Sequence, residues 1–219
     1  MNLFVKDNGK KELCLFFCGW GTDEKLYLHL LNDFDYILFY DYSDINTDFD
    51  FDFSKYENIY LIGYSAGVSI PALLKDKLPE TTLNIAVNGS LKLLGGEAVF
   101  QNAVKACETV DLSNYIDFRR NYLVSSLKEL ELFNENAPLR TFESCYAELA
   151  ALKKLSEDYK DLKYNYNVLF TSEDDKFFNS EILKKEFKNS INIKGGHFPF
   201  FRYKSFKYFV DEAKKYLVF

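Results

Sequence analysis

The chain has 219 residues, of which 47% are hydrophobic, and a net charge of −6. It is long enough to bury a sizeable core, and its acidity argues against non-specific nucleic-acid binding, which depends on clustered Lys and Arg. No apolar stretch reaches membrane-spanning length, and the N-terminus lacks the order of a signal peptide, so the expectation is a cytoplasmic protein with no membrane partner. Cys14, Cys18, Cys107 and Cys145 show neither C-x-x-C spacing nor disulfide density, which predicts buried, reduced thiols.

Short β-like runs alternate with helix-like stretches along the chain. Residues 13–17 predict a strand, 23–31 a helix, 36–40 and 58–62 strands, and 66–77 a helix in which Pro71 should introduce a kink. A strand follows at 83–87. Residues 91–160 then carry helical spacing with no convincing strand. Val99, Phe100 and Val104, next Tyr122, Leu123 and Leu127, and finally Leu149, Leu152 and Leu155 mark successive helix faces. Strands at 167–170 and 191–193 bracket a helix at 181–187, and a last helix is predicted over 204–216. The pattern is α/β: a mostly parallel central sheet with helices on both faces, one domain over 1–219, and an inserted helical cap over 91–160. The acidic run Asp48-Phe49-Asp50-Phe51-Asp52 lacks the glycine and distal glutamate of a calcium loop and reads as an exposed alternating segment, so no metal site is expected.

Gly63-Tyr64-Ser65-Ala66-Gly67 lies directly behind the apolar run 59–62 and ahead of a helix-like stretch. A serine that must stand exposed on a sharp strand-to-helix turn needs small neighbours, and the two glycines provide that room. Ser65 is therefore the candidate nucleophile. It needs a base, and the chain offers only two histidines. His29 falls within a helix-like segment. His197 follows Gly195-Gly196 behind the last strand, where a loop can carry imidazole over the carboxyl ends of the sheet, and is preferred.

The acid should follow a late strand and precede the histidine, completing the chain order Ser, Asp, His. Thr171-Ser172-Glu173-Asp174-Asp175 fills that slot; Asp175 is preferred and Asp174 is the alternative. Acyl transfer at Ser65 also needs two preorganised donors for an oxyanion. The amide of Ala66 supplies one. Phe17-Cys18-Gly19-Trp20-Gly21, the exit loop of the first predicted strand, supplies the other through the Trp20 amide, while the Trp20 indole is placed either in the core or in an acyl pocket.

With these pieces in place the chain resembles the BioG-type pimeloyl-[acyl-carrier protein] methyl ester esterases, a divergent α/β-hydrolase family. The resemblance spans nearly the whole chain. It rests on residues 15–23 with Cys18-Gly19-Trp20-Gly21, the elbow at 63–68, Asn88-Gly89-Ser90, Phe118-Arg119-Arg120, Pro138-Leu139-Arg140 and Gly196-His197-Phe198-Pro199-Phe200. Cys18 departs from the wider α/β-hydrolase pattern, which often places histidine there.

The resemblance implies hydrolysis of the methyl ester on a pimeloyl chain that phosphopantetheine links to an acyl-carrier protein, in biotin synthesis and without metal or organic cofactor. Carrier proteins are acidic, so a net-negative enzyme needs a local basic surface for docking. Arg119, Arg120 and Arg140, three of the four arginines, are the candidates, with Arg202 and Lys204 beside the His197 loop as a second patch.

Overall fold

The computed structural model describes residues 1–46 and 51–216. Seven strands form one sheet: β1 (Asn2–Lys6), β2 (Glu12–Phe17), β3 (Asp35–Tyr40), β4 (Asn58–Tyr64), β5 (Leu83–Val87), β6 (Val168–Ser172) and β7 (Ser190–Ile193). Their order is β1-β3-β2-β4-β5-β6-β7. β1 runs antiparallel to β3 and every other pairing is parallel. Parallel strands bury both faces, and β2 shows it: Leu13, Leu15 and Phe17 enter one core while Cys14 and Phe16 enter the other. This is the architecture the alternation predicts.

β1 is an addition to the predicted strands. Its five residues are at best half-buried and Val5 is exposed, so this edge strand lacks the fully apolar signature by which its neighbours are recognised. The segment behind the elbow also differs from expectation. It is a 3-10 turn, Ser65–Val68, followed by the short α1 (Ile70–Leu73), instead of a kinked helix to residue 77. Pro71 sits in the first turn of α1, where a missing N–H costs nothing. The predicted helix at 23–31 is a 3-10 helix, Glu24–Leu30, with the Asp23 carboxylate accepting from the Lys25 amide at 3.1 Å.

Between β5 and β6 the chain is helical: α2 (Gln101–Thr109), α3 (Tyr115–Phe118), a π-turn at Arg119–Leu123, α4 (Leu127–Glu135) and α5 (Phe142–Asp158). Ser126 and Thr141 cap α4 and α5 by accepting from the Glu129 and Ser144 amides. The three predicted stripes fare unequally. Leu149 and Leu152 are buried on α5, whereas Phe100 is the N-cap of α2, and Leu127 is 71% exposed at the start of α4, separated from Tyr122 and Leu123 by the end of the π-turn. After β6 come α6 (Ser180–Leu183) and α7 (Lys207–Lys214), both shorter than predicted.

All four cysteines are free and buried. Among the described residues no helix is long and apolar enough to cross a membrane. Asp48, Phe49 and Asp50 of the acidic run lie outside the described residues; its last member, Asp52, accepts from the Ser54 amide at 3.0 Å.

Candidate active site

Six strands point their carboxyl ends to one edge of the sheet, and the predicted chemistry gathers there. Ser65 follows β4 directly with φ of +53°, a left-handed conformation that a side chain adopts only when its surroundings impose it. The surroundings do so by crowding. A Cβ on Gly67 would collide with the carbonyl oxygens of Phe17 and Cys18, and one on Gly63 would meet the Tyr166 hydroxyl and the Val68 backbone. Gly67 thus lets the turn press against the end of β2, and Gly63 lets the turn fold closely over the end of β4 beneath Tyr166.

Ser65 Oγ lies 2.9 Å from His197 Nε2, and His197 Nδ1 lies 3.0 Å from Asp175 Oδ2. Because a carboxylate only accepts, Nδ1 carries the proton, and Nε2 is left to accept from the serine. The carboxylate is itself held: Asp175 Oδ1 accepts from the amides of Phe177 and Phe178 at 2.7 and 3.0 Å. Asp174 is exposed; its amide donates to Gly195 O at 3.0 Å. His197 is buried, with the Phe177 and Tyr64 rings 4.4 and 5.3 Å away. His29 is elsewhere: exposed, stacked on Phe201, with Nε2 3.3 Å from Phe200 O.

Ala66 is the second residue of a 3-10 turn, so its amide has no intrahelical acceptor. Among the described residues the Trp20 amide donates to no protein acceptor either. Both residues line the same cleft as Ser65 and His197. That cleft encloses about 1060 Å³ including its open mouth and is walled mainly by apolar side chains, among them Leu94, Val99, Phe118, Leu123, Phe142 and Leu149. The Trp20 ring is part of its lining and packs edge-on to Phe118 at 6.4 Å.

One residue whose role sequence reasoning missed is Asn88. Fully buried, with φ of +43°, it donates to Ser172 Oγ at 2.7 Å and His197 O at 2.8 Å, and accepts from the Ser172 amide at 2.7 Å. It ties together the exits of β5 and β6 and the histidine loop. The signal was present in Asn88-Gly89-Ser90, because a Cβ on Gly89 would strike Ser65 O, but nothing in the chain says which loops an asparagine at that point will bridge.

The arginines do not form one surface. Arg140 is withdrawn into the protein with 6% of its side chain exposed, bonded to Glu148 and, at 3.0 Å, to Asp41 Oδ1. Arg119 is 4% exposed; its guanidinium lies over the Tyr115 ring at 3.7 Å and donates to Asn134 Oδ1 at 2.5 Å. As members of an exposed docking patch these two are corrected: Arg119 is taken up within the helical insert, and Arg140 ties that insert to the loop leaving β3. Arg120 stays exposed and pairs with Asp117 at 3.0 Å. Arg202 pairs with Glu129 at 2.5 Å, and Lys204 is exposed.

Comparison with known proteins now bears on this arrangement. The crystal structure of BioG from Haemophilus influenzae superposes with a TM-score of 0.82 at 24% identity, covering 95% of this chain and 99% of that one. A bromoperoxidase from Bacillus anthracis follows the same fold with a TM-score of 0.64 at 10% identity, over 98% and 95% of the two chains. These likenesses show an α/β-hydrolase fold. In sequence, the chain is 29% identical over 200 residues to a malonyl-[acyl-carrier protein] O-methyltransferase of Bacteroides fragilis (strain 638R), covering 86% of this chain but only 40% of that protein. It is 30% identical over 177 residues to an uncharacterized protein of Haemophilus influenzae (strain ATCC 51907 / DSM 11121 / KW20 / Rd), over 75% and 77%. The family model described as pimeloyl-ACP methyl esterase BioG matches residues 2–209. The chain belongs to the BioG family.

Proposed function

We propose that this protein is a serine carboxylesterase that hydrolyses the methyl ester of a pimeloyl group carried on acyl-carrier protein, releasing methanol, as a step of biotin synthesis. The observation that carries this reading is the continuous chain of contacts from Ser65 through His197 to Asp175 at the floor of an apolar cleft. Family membership supplies the ester, and the carrier named in the Bacteroides relative's description supports a carrier-linked substrate.

The chemistry follows from the geometry. His197 Nε2 takes the Ser65 proton as Oγ attacks the ester carbonyl, and Asp175 orients and stabilises the imidazolium. The amides of Trp20 and Ala66 hold the oxyanion of the tetrahedral intermediate. Collapse breaks the bond to the methoxy group, which leaves as methanol with the proton from His197. Water, deprotonated by the same nitrogen, then cleaves the acyl-enzyme to the free carboxylate. Residues 91–160 act as a cap whose apolar wall takes the carbon chain and keeps bulk water from it. Of the three cap arginines, Arg120 is the exposed cation that an acidic carrier meets.

The test is a comparison of kcat/KM for methyl pimeloyl-carrier protein, carrier-linked methyl esters of shorter and longer diacids, and a simple aryl ester. Preference for the pimeloyl substrate is expected. Equal turnover of all of them makes the protein a broader acyl esterase.

A further inference from the structure

The loop that leaves β2 is held from above by the helical insert. Trp20 Nε1 donates to Cys145 O at 2.7 Å, the Gly21 amide donates to Glu148 Oε2 at 3.0 Å, and the Leu139 amide donates to Asp23 Oδ2 at 2.6 Å. Glu148 lies on α5 and is fully buried. Its other oxygen accepts from the Tyr42 amide at 3.1 Å, on the loop that leaves β3. Arg140 closes the network: it bonds Glu148, reaches Asp41 Oδ1 at 3.0 Å, and donates to Ser144 Oγ at 2.7 Å and Ser144 O at 3.1 Å. Burial pushes the Glu148 carboxyl up and outweighs the guanidinium and the two amides, which pull it down. A buried carboxylate is tolerated only with such compensation, so its aim is fixed by its donors.

What this carboxylate aims is the peptide between Trp20 and Gly21. Anchoring the Gly21 N–H fixes the plane of that peptide and hence ψ of Trp20, while the indole bond fixes the side chain. Gly21 has φ of +69°, which lets the chain turn away immediately afterwards. The peptide that carries the Trp20 N–H is pinned at its own carbonyl, where Gly19 O accepts from Thr22 Oγ at 2.7 Å, so with ψ and the side chain of Trp20 held as well the direction of its amide is set. We propose that Glu148, held by Arg140, is a positioning residue for the oxyanion hole, aiming the Trp20 amide into the cleft through the Gly21 and Trp20 bonds to α5. This rests on the reading of the Trp20 amide as an oxyanion donor.

The experiment uses the full chain and p-nitrophenyl acetate, an ester too small to depend on the acyl wall of the cleft, with a trifluoromethyl ketone as mimic of the tetrahedral intermediate. Glu148→Gln replaces one acceptor oxygen with a donor and removes the charge. It should lower kcat roughly 10- to 100-fold, the cost of a misplaced oxyanion donor, with KM altered much less and ketone affinity falling in step with kcat/KM. Trp20→Phe deletes the indole N–H and keeps a ring, and should move kcat and ketone affinity in the same direction by a smaller factor. If Glu148→Gln does not fold, Trp20→Phe decides alone. Unchanged kcat and ketone affinity per folded molecule, with only a lower melting temperature, overturn the proposal and leave a structural tie. Ser65→Ala separates the two readings: if it is inactive while the Glu148 and Trp20 variants turn over normally, only the positioning role fails; if it retains turnover, both fail.

Discussion

The two walls of the cleft are built by different means. Ser65, Asp175 and His197 each follow a parallel strand within a few residues and meet because β4, β6 and β7 end at one edge of one sheet. The β2 exit loop also starts at that edge, yet it is fixed by α5, 125 to 127 residues further along the chain. The first wall is a product of sheet topology and short motifs. The second depends on an insert folding back and finding its partners. The contacts of Ser65, His197 and Asp175 should therefore survive damage to α5, whereas the position of the β2 exit loop should not.

Chemistry at the sheet edge gives the largest expected effects. Ser65→Ala should cut kcat/KM by ~10⁴-fold or more with the melting temperature nearly unchanged, since it deletes one half-buried hydroxyl. Turnover near that of the unaltered protein would remove Ser65 from the reaction. Asp175→Asn should lower kcat by on the order of 10³- to 10⁴-fold, because an amide facing Nδ1 favours the wrong tautomer. Asp174→Asn, on an exposed side chain, should cost less than about 3-fold by the same reasoning. Equal losses in this pair would break the assignment of the acid.

On the insert the sharper contrast is between arginines. Arg140→Ala leaves Glu148 buried without its main cation and should destabilise the fold by about 3–5 kcal/mol, read as a lower denaturation midpoint. Arg120→Glu should leave stability and small-ester turnover intact while slowing reaction with the carrier-linked substrate several-fold, a difference that shrinks as salt rises. Loss of small-ester activity in the second variant would make Arg120 structural as well. The smallest effect belongs to the thiols. Cys107 and Cys145 line the cleft, but burial pushes the Cys145 thiol up to about 11, so iodoacetamide at neutral pH should leave activity unchanged over a time that fully alkylates a free thiol. Rapid inactivation would show that the insert opens.

Legibility followed the same division. Ser65, His197 and their neighbouring acids are readable because a strained elbow demands glycines at fixed spacing and because the chain has two histidines, one of them in the wrong context. The preference for Asp175 over Asp174 agrees with the fold, where adjacent residues on the turn point in different directions and Asp175 faces His197. In the sequence Arg140 is a candidate for docking an acidic carrier, and Glu148 is one more acid in a helical stretch. Their burial depends on amides of Gly21 and Tyr42 more than a hundred residues away, which no local pattern encodes. Leu127 shows the opposite: its spacing from Tyr122 and Leu123 suits one helix face, but the π-turn ends at Leu123 and the Ser126 cap starts a new helix with Leu127 exposed. Pro71 falls inside a helix predicted from residue 66, but α1 begins at Ile70, so the proline occupies its first turn and makes no kink.

The central claim is that Ser65 is the nucleophile of an ester hydrolase, and the most direct test is covalent. The protein is treated with a fluorophosphonate, digested and mapped by mass spectrometry, with methanol release from methyl pimeloyl-carrier protein followed in parallel. A single phosphonyl adduct on the peptide containing Ser65, absent in Ser65→Ala and formed in proportion to the loss of methanol release, is the predicted result. Full methanol release from protein quantitatively modified at Ser65, or inactivation that tracks an adduct at another residue, would contradict it.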